Sequence, residues 1–115
     1  MPDTDSLPPA ADAWVNDVDD LPIPPQDLIE LVVGPSNARD FVKAGKEIAH
    51  QAVVDALARK GLALDQFRSL LDFGCGCGRI IRHWQPLTGA RLHGTDYNPR
   101  LVAWCRENLA FAAFG

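Results

Sequence analysis

The sequence contains no Lys or Arg before Arg39, although the same 38 residues hold eight acidic residues. No apolar run approaches the length of about 20 residues that a membrane-spanning helix needs. The N-terminus also lacks the basic and apolar regions of a secretory signal peptide, because aspartates and prolines take their place. These absences predict a cytoplasmic protein with no membrane partner.

Cysteine is scarce, and its placement argues against two common uses. The chain holds Cys75, Cys77 and Cys105, an odd number with two members separated by one residue. This arrangement does not form a disulfide framework. A structural zinc site needs about four ligands, usually paired as C-x-x-C, and the histidines are scattered. We therefore predict no metal site and interpret Cys75 and Cys77 as small residues of a turn.

The net charge of −4 conceals an uneven distribution. Residues 39–115 hold all eleven basic residues against seven acidic ones, so this part carries a net charge of +4. The simplest interpretation is a solvated acidic segment before a mildly basic domain, and the alternative is a basic domain that meets an anionic ligand. The positive charge is too small and too dispersed to indicate nucleic-acid binding.

The N-terminal half is expected to consist of a tail and a pair of helices. Residues 1–25 are acidic and rich in proline, which predicts a flexible segment. Residues 26–61 are predicted to form a helical cap. Its first helix ends at Val33, and its second begins at Ser36 or Asn37, both of which are good N-cap residues.

Residues 62–115 show alternating strand and helix patterns. The predicted order is strand, short helix, strand, helix and a possible third strand, at residues 69–73, 79–85, 90–95, from 98 onward and within 109–114. The first strand has apolar side chains without alternating polar ones, which is typical of a strand covered on both faces. Alternation of this kind predicts an α/β fold with a parallel sheet.

The most informative stretch is DFGCGCG at residues 72–78, where an acidic residue at the end of the first strand precedes glycine at every second position. Glycine lets the backbone approach a ligand closely and adopt angles that other residues avoid. The dinucleotide fingerprint G-x-G-x-x-G needs its third glycine where Arg79 stands, and the lysine of a phosphate-binding P-loop is absent. An NAD(P)-dependent oxidoreductase therefore remains an alternative that the glycine spacing disfavours.

A second acidic residue, Asp96, ends the second predicted strand 18 residues after Gly78. The carboxyl ends of adjacent parallel strands face the same crevice, so we expect Asp96 to lie beside the glycine turn. A carboxylate there is suited to accept hydrogen bonds from both ribose hydroxyls of a nucleoside. We expect the ring of Tyr97, the next residue, to lie against the base.

These stretches, LDFGCGCG at residues 71–78 and HGTDYNP at residues 93–99, resemble the first and second motifs of class I methyltransferases that use S-adenosylmethionine. The resemblance covers roughly residues 68–108. It implies a Rossmann-like class I methyltransferase fold that is incomplete here, with the N-terminal helices and the first two or three parallel strands. Residues 62–115 would then be the N-terminal half of the cofactor-binding domain, which uses S-adenosylmethionine to methylate an unidentified acceptor.

The resemblance also implies which residues bind the cofactor: Asp72, Gly74, Cys75, Gly76, Gly78, Asp96 and Tyr97. Asp72 would help to hold the methionine amino group, directly or through water. The backbone around Gly74 and Gly76 would pass close to the methionine and the sugar. Asp96 would bind the ribose hydroxyls and Tyr97 would border the adenine. No residue can be identified as a catalytic base.

The family builds a larger sheet than this chain supplies, so we expect an N-terminal fragment of a methyltransferase. A short sheet leaves a strand edge unpaired, which predicts a homodimer or strand exchange. The alternative is a cofactor-binding or interaction module without turnover. Arg79 and Arg82 are interpreted as the solvated face of a short helix rather than as substrate contacts, and Phe41 as a core residue.

Overall fold

The computed structural model describes residues 19–115, and most of the predicted flexible segment, residues 1–18, lies outside the described residues. In the described part, helices pack on a three-stranded parallel sheet, which confirms the predicted α/β class. No helix within residues 19–115 is both long enough and apolar enough to cross a membrane.

Two helices precede the sheet, as the sequence predicts. Helix α1 covers Gln26–Val33 and ends at Gly34, which has a positive φ of 80° and donates its backbone N–H to Glu30. Helix α2 covers Ala38–Ile48, and Asn37 is its N-cap because the Asn37 side chain accepts the N–H of Asp40 at 2.8 Å. This geometry selects Asn37 from the two predicted caps.

The helical segment continues beyond α2 through a change of winding that the sequence does not predict. A π-helical stretch, Ala49–Val54, follows directly, and a last turn, α3, covers Asp55–Ala58. Wider winding shifts the later residues around the helix axis. As a result Val53, Val54 and Leu57 pack against the main core beside the sheet.

The sheet has the strand order β1-β2-β3, and both pairings are parallel. The strands and the helix between the last two are β1, β2, α4 and β3, at Ser69–Phe73, Arg91–Thr95, Pro99–Asn108 and Ala113–Phe114. Leu71 pairs with His93 and Phe73 pairs with Thr95, so β1 and β2 end at the same level. This register brings the segments that follow the two strands side by side.

The segment after the glycine turn differs from the predicted helix over residues 79–85. It consists of turns followed by a 3₁₀ helix at Ile81–Trp84, and all four side chains of that helix are buried. An amphipathic surface helix buries one face and leaves the other in water. Here four consecutive side chains are buried, and the chain forms a short 3₁₀ turn instead. Within residues 19–115 the glycine turn is therefore not followed by a long helix whose N-terminus could face a ligand.

Only one face of the sheet is covered in the described part of the chain. The core on that face contains Leu64, Cys75, Ile81, Trp84, Leu92, Val102, Cys105, Leu109 and Phe114. On the opposite face Leu71 is 58% exposed and Phe73 is 84% exposed. The prediction that the first strand is covered on both faces is therefore wrong for the described residues, because the connections pack on one side only.

Candidate functional site

The loop after β1 follows a path that glycine makes possible. Gly74 has a φ of 76° and Gly76 a φ of 59°, both in the left-handed region that other residues rarely adopt. The backbone N–H groups of Gly74 and Cys75 both donate to the carbonyl of Thr95, each at 2.8 Å. The loop thus turns back over the end of β2 as soon as β1 finishes.

Asp96 ties the glycine loop to the start of α4. One carboxylate oxygen, Oδ2, accepts the backbone N–H of Gly76 at 2.9 Å, and the other, Oδ1, accepts that of Asn98 at 2.9 Å. Each oxygen of an ionised carboxylate has lone pairs for more than one donor. The half-buried Asp96 therefore holds the loop in place and still has acceptor capacity for a ligand.

Two adjoining cavities open where β1 and β2 end. The first, of about 360 Å³, is lined by Leu31, Val32, Gly74, Gly76, Arg79, Asp96, Tyr97, Asn98 and Leu101. The second, of about 300 Å³, is lined by Phe73, Gly74, Thr95, Asp96 and Tyr97. Gly74, Asp96 and Tyr97 belong to both, and together the cavities have the size of a small-molecule site.

The structure brings Gly74, Gly76, Asp96 and Tyr97 together and places three other predicted residues elsewhere. Cys75 is buried in the core, and a side chain on Gly78 would lie 2.4 Å from the Cδ1 atom of Leu109. Asp72 is half-buried and lines neither cavity. Within the turn, Gly74 and Gly76 therefore face the cavities, whereas Gly78 packs against the core.

The carboxyl group of Asp72 lies in an unusual environment. Its Oδ2 atom is buried and has no hydrogen-bond partner among the described residues. Burial raises the pKa of Asp72 to about 6, and the nearby charge of Asp96 adds to this. The N–H of Ile81 and the charge of Arg79 act in the opposite direction on the same pKa.

We expect the Asp72→Asn variant to be more stable than the parent chain at about pH 8, by roughly 1–2 kcal/mol after allowance for solvent screening. The folded-state pKa of about 6 is above the ordinary value of 3.8, so Asp72 lowers the stability of the chain as the pH rises from about 3.8 to about 6, and the full loss is present above that pH. The gain should therefore shrink at about pH 5. Thermal denaturation at both pH values tests this, with Asp65→Asn, at an exposed position, as the control. A gain that does not change with pH would contradict the assignment.

Arg82 is not on a solvated face, contrary to the prediction. The residue is 1% exposed and forms a bidentate pair with Asp19, in which Nε donates to Oδ2 at 2.9 Å and Nη2 donates to Oδ1 at 2.8 Å. Nη2 also donates to the carbonyls of Leu21 and Pro22. Burial alone would raise the pKa of Asp19, but the hydrogen bonds and charge of Arg82 hold it below its ordinary value. Residues 19–22 are thereby held against the 3₁₀ helix.

Several lining residues were missed by the sequence reasoning. Leu31 and Val32 belong to α1, whose apolar residues indicated only that the helix packs on something. Arg79 is half-buried beside the cavity, and its backbone carbonyl lies against Gly45 of α2. A glycine within a predicted apolar helix face was the available signal for this close approach.

Comparison of the chain with protein-family models, with curated proteins and with solved structures gave no match. The site is therefore interpreted from its own geometry. That geometry consists of a glycine loop, a strand-terminal carboxylate and an exposed aromatic ring around two adjoining cavities.

Proposed function

We propose that this chain is part of a class I methyltransferase and that the cavities at the glycine loop bind S-adenosylmethionine. The observation that carries the proposal is the position of Asp96. It follows the strand next to β1, lines both cavities and accepts the N–H of Gly76. The Asp96 carboxylate could accept hydrogen bonds from the ribose hydroxyls, and the glycine backbone beside it would let the rest of the ligand come close to the main chain.

The surroundings of Asp96 fit the other parts of a nucleoside. Tyr97 is 99% exposed, so its ring is free to lie against a base. Leu31, Val32 and Leu101 add apolar surface to the larger cavity. A side chain built on Gly74 would meet nothing within 4 Å, which leaves space for a ligand directly over the backbone.

When bound, the cofactor supplies a methyl group on a positively charged sulfur. The residues of this chain would hold the adenosine part and fix its orientation toward an acceptor. Proximity and orientation of this kind are the main source of the rate acceleration in an in-line displacement. The lining residues do not specify the acceptor.

A second candidate is a cofactor-binding module that acts through association rather than turnover. Its support is the uncovered sheet face, where Leu71 and Phe73 of β1, an edge strand in the described sheet, expose large apolar side chains. Exposed apolar surface of this kind favours contact with another polypeptide, including a second copy of the chain. Such a module would bind the cofactor in the same cavities as the proposed methyltransferase, but it would not transfer the methyl group.

Calorimetric titration with S-adenosylhomocysteine and with NAD tests the proposal. We expect the chain to bind S-adenosylhomocysteine and not NAD. Asp96→Asn should weaken binding about 10- to 100-fold, equivalent to roughly 1–3 kcal/mol, because the carboxylate charge is lost at the ribose. Asparagine is preferred to alanine because its side-chain oxygen keeps one of the two backbone contacts.

The control variant is Asp65→Asn, and thermal denaturation of both variants separates lost binding from lost folding. Binding of NAD alone would support the oxidoreductase alternative and overturn the proposal. An unchanged affinity in a folded Asp96→Asn variant would remove Asp96 from the site.

A further inference from the structure

The face of the sheet that no described element covers forms a groove. Because successive side chains of a strand point to opposite sides, this open face includes Leu71, Phe73, Arg91, His93, Thr95 and Ala113. A cavity of about 910 Å³ is lined by residues of all three strands, including Leu71, His93 and Ala113, which are neighbours across the sheet. The open face therefore offers a concave surface to a partner.

The charge of the open face has one sign. Its strand residues are apolar, uncharged or basic, and the basic ones are Arg91 and His93. Arg91 is exposed and has no ion-pair partner among residues 19–115. Leu71 and Phe73 lie beside these basic residues and add exposed apolar surface. Such a face is complementary to a polypeptide segment that combines carboxylates with apolar side chains.

The size of the open face favours a single segment over a second folded copy of the chain. Strands β1 and β2 have five residues each, and β3 has two. At about 3.3 Å per residue and about 4.8 Å between strands, the face measures roughly 15 by 17 Å, or about 250 Å² in projection. A stable interface between folded proteins buries about 800 Å² on each partner. One segment laid across the strands suits the smaller area.

Residues 1–18, which lie outside the described residues, have the composition that this face would accept. They hold four aspartates and no Lys or Arg, together with apolar residues such as Trp14 and Val15. They join the described chain at Asp19, which Arg82 holds in place. Eighteen residues span up to about 60 Å when extended, and the longest dimension of the structure is 47 Å. The segment is therefore long enough to reach the open face, and its tether gives it a high effective concentration there.

We propose that residues 1–18 dock on the open face, with their apolar side chains against Leu71 and Phe73 and their aspartates near Arg91. Docking would remove exposed apolar surface from water and bring the acidic segment to an unpaired cation. It would also give a role to the uneven distribution of charge along the chain. The segment would occupy the surface that otherwise favours contact with another polypeptide.

The test measures how fast iodoacetamide alkylates a thiol introduced on the open face of the full chain. The three native cysteines are buried, so a thiol introduced by Leu71→Cys should react first. Ala103→Cys, at an exposed position of α4, is the matched control. We expect the thiol at position 71 to react about 10-fold more slowly than the thiol at position 103, because the docked segment covers it.

Trp14→Ser, or replacement of the four aspartates of residues 1–18 by asparagine, should raise the rate at position 71 to about that at position 103 and leave the control rate unchanged. Arg91→Gln should also raise the rate at position 71. Equal rates at the two positions in the otherwise unchanged chain would overturn the proposal. A slow rate at position 71 that these changes do not affect would overturn it too, and a slow rate that rises on dilution would identify a second copy as the occupant instead. Binding of S-adenosylhomocysteine is measured separately, so neither result decides the proposed function.

Discussion

Gly45→Ala is expected to destabilise the chain by about 3 kcal/mol, although alanine is ordinarily the better helix residue by about 1 kcal/mol. The added methyl group would lie 2.2 Å from the carbonyl oxygen of Arg79 and 2.8 Å from its Cγ atom. The nearest atom belongs to the backbone, so a change of side-chain rotamer cannot relieve the contact. Either α2 or the glycine loop must move.

Chemical denaturation of Gly45→Ala and of the parent chain measures this loss. Gly89→Ala is the matched control, because a methyl group there would meet nothing within 4 Å and no positive φ is required. The control should change the free energy of unfolding little. A Gly45→Ala variant as stable as the control would show that α2 does not lie against the loop.

Arg82→Met is expected to cost about 3–5 kcal/mol, the range found when one partner of a buried ion pair is removed. The substitution leaves the Asp19 carboxylate and the carbonyls of Leu21 and Pro22 without their common donor. Asp19→Asn should also destabilise, because it leaves a buried guanidinium without its counter-charge. The double variant should lose less than the sum of the two single changes.

The exposed pair between Asp27 and Arg100 provides the matched control for this cycle, since both side chains are more than half exposed. Its coupling should be within about 0–1 kcal/mol, as for most surface pairs. Chemical denaturation of the four chains in each cycle gives both couplings. Similar small values at the two sites would contradict a buried pair between Arg82 and Asp19.

The elements that depend on local signals could be predicted from the sequence. The bounds of α1 and β1 agree with the structure, and Asn98 caps α4 through its side chain, which accepts the N–H of Arg100. The nearness of Asp96 to the glycine loop was also predictable, because parallel strands that end at the same level bring their following residues together. Periodicity and capping chemistry are properties of a few neighbouring residues.

The features that depend on distant partners could not be predicted. Asp19 is 63 residues from Arg82, and no local pattern marks it as the partner of a buried arginine. The apolar composition of β1 does not tell which of its faces meets other residues of the chain. The sequence indicated a role for Asp96 at the ribose hydroxyls, and it did not indicate that the Asp96 carboxylate accepts two backbone N–H groups.

The carbonyl of Gly76 has a consequence for the thiols around it. Cys75 and Cys105 both donate to this oxygen at 3.5 Å, and all three cysteines are buried and free. Burial raises the pKa of Cys77 to about 11, so its reactive thiolate form is rare at neutral pH. The Cys77 thiol in turn lies against the carbonyl of Leu28 in α1. An alkylating reagent can reach these buried sulfur atoms only when the packing of the loop against α1 and α4 opens locally. Their rate of modification therefore reports the free energy of local opening at the place where a ligand would bind.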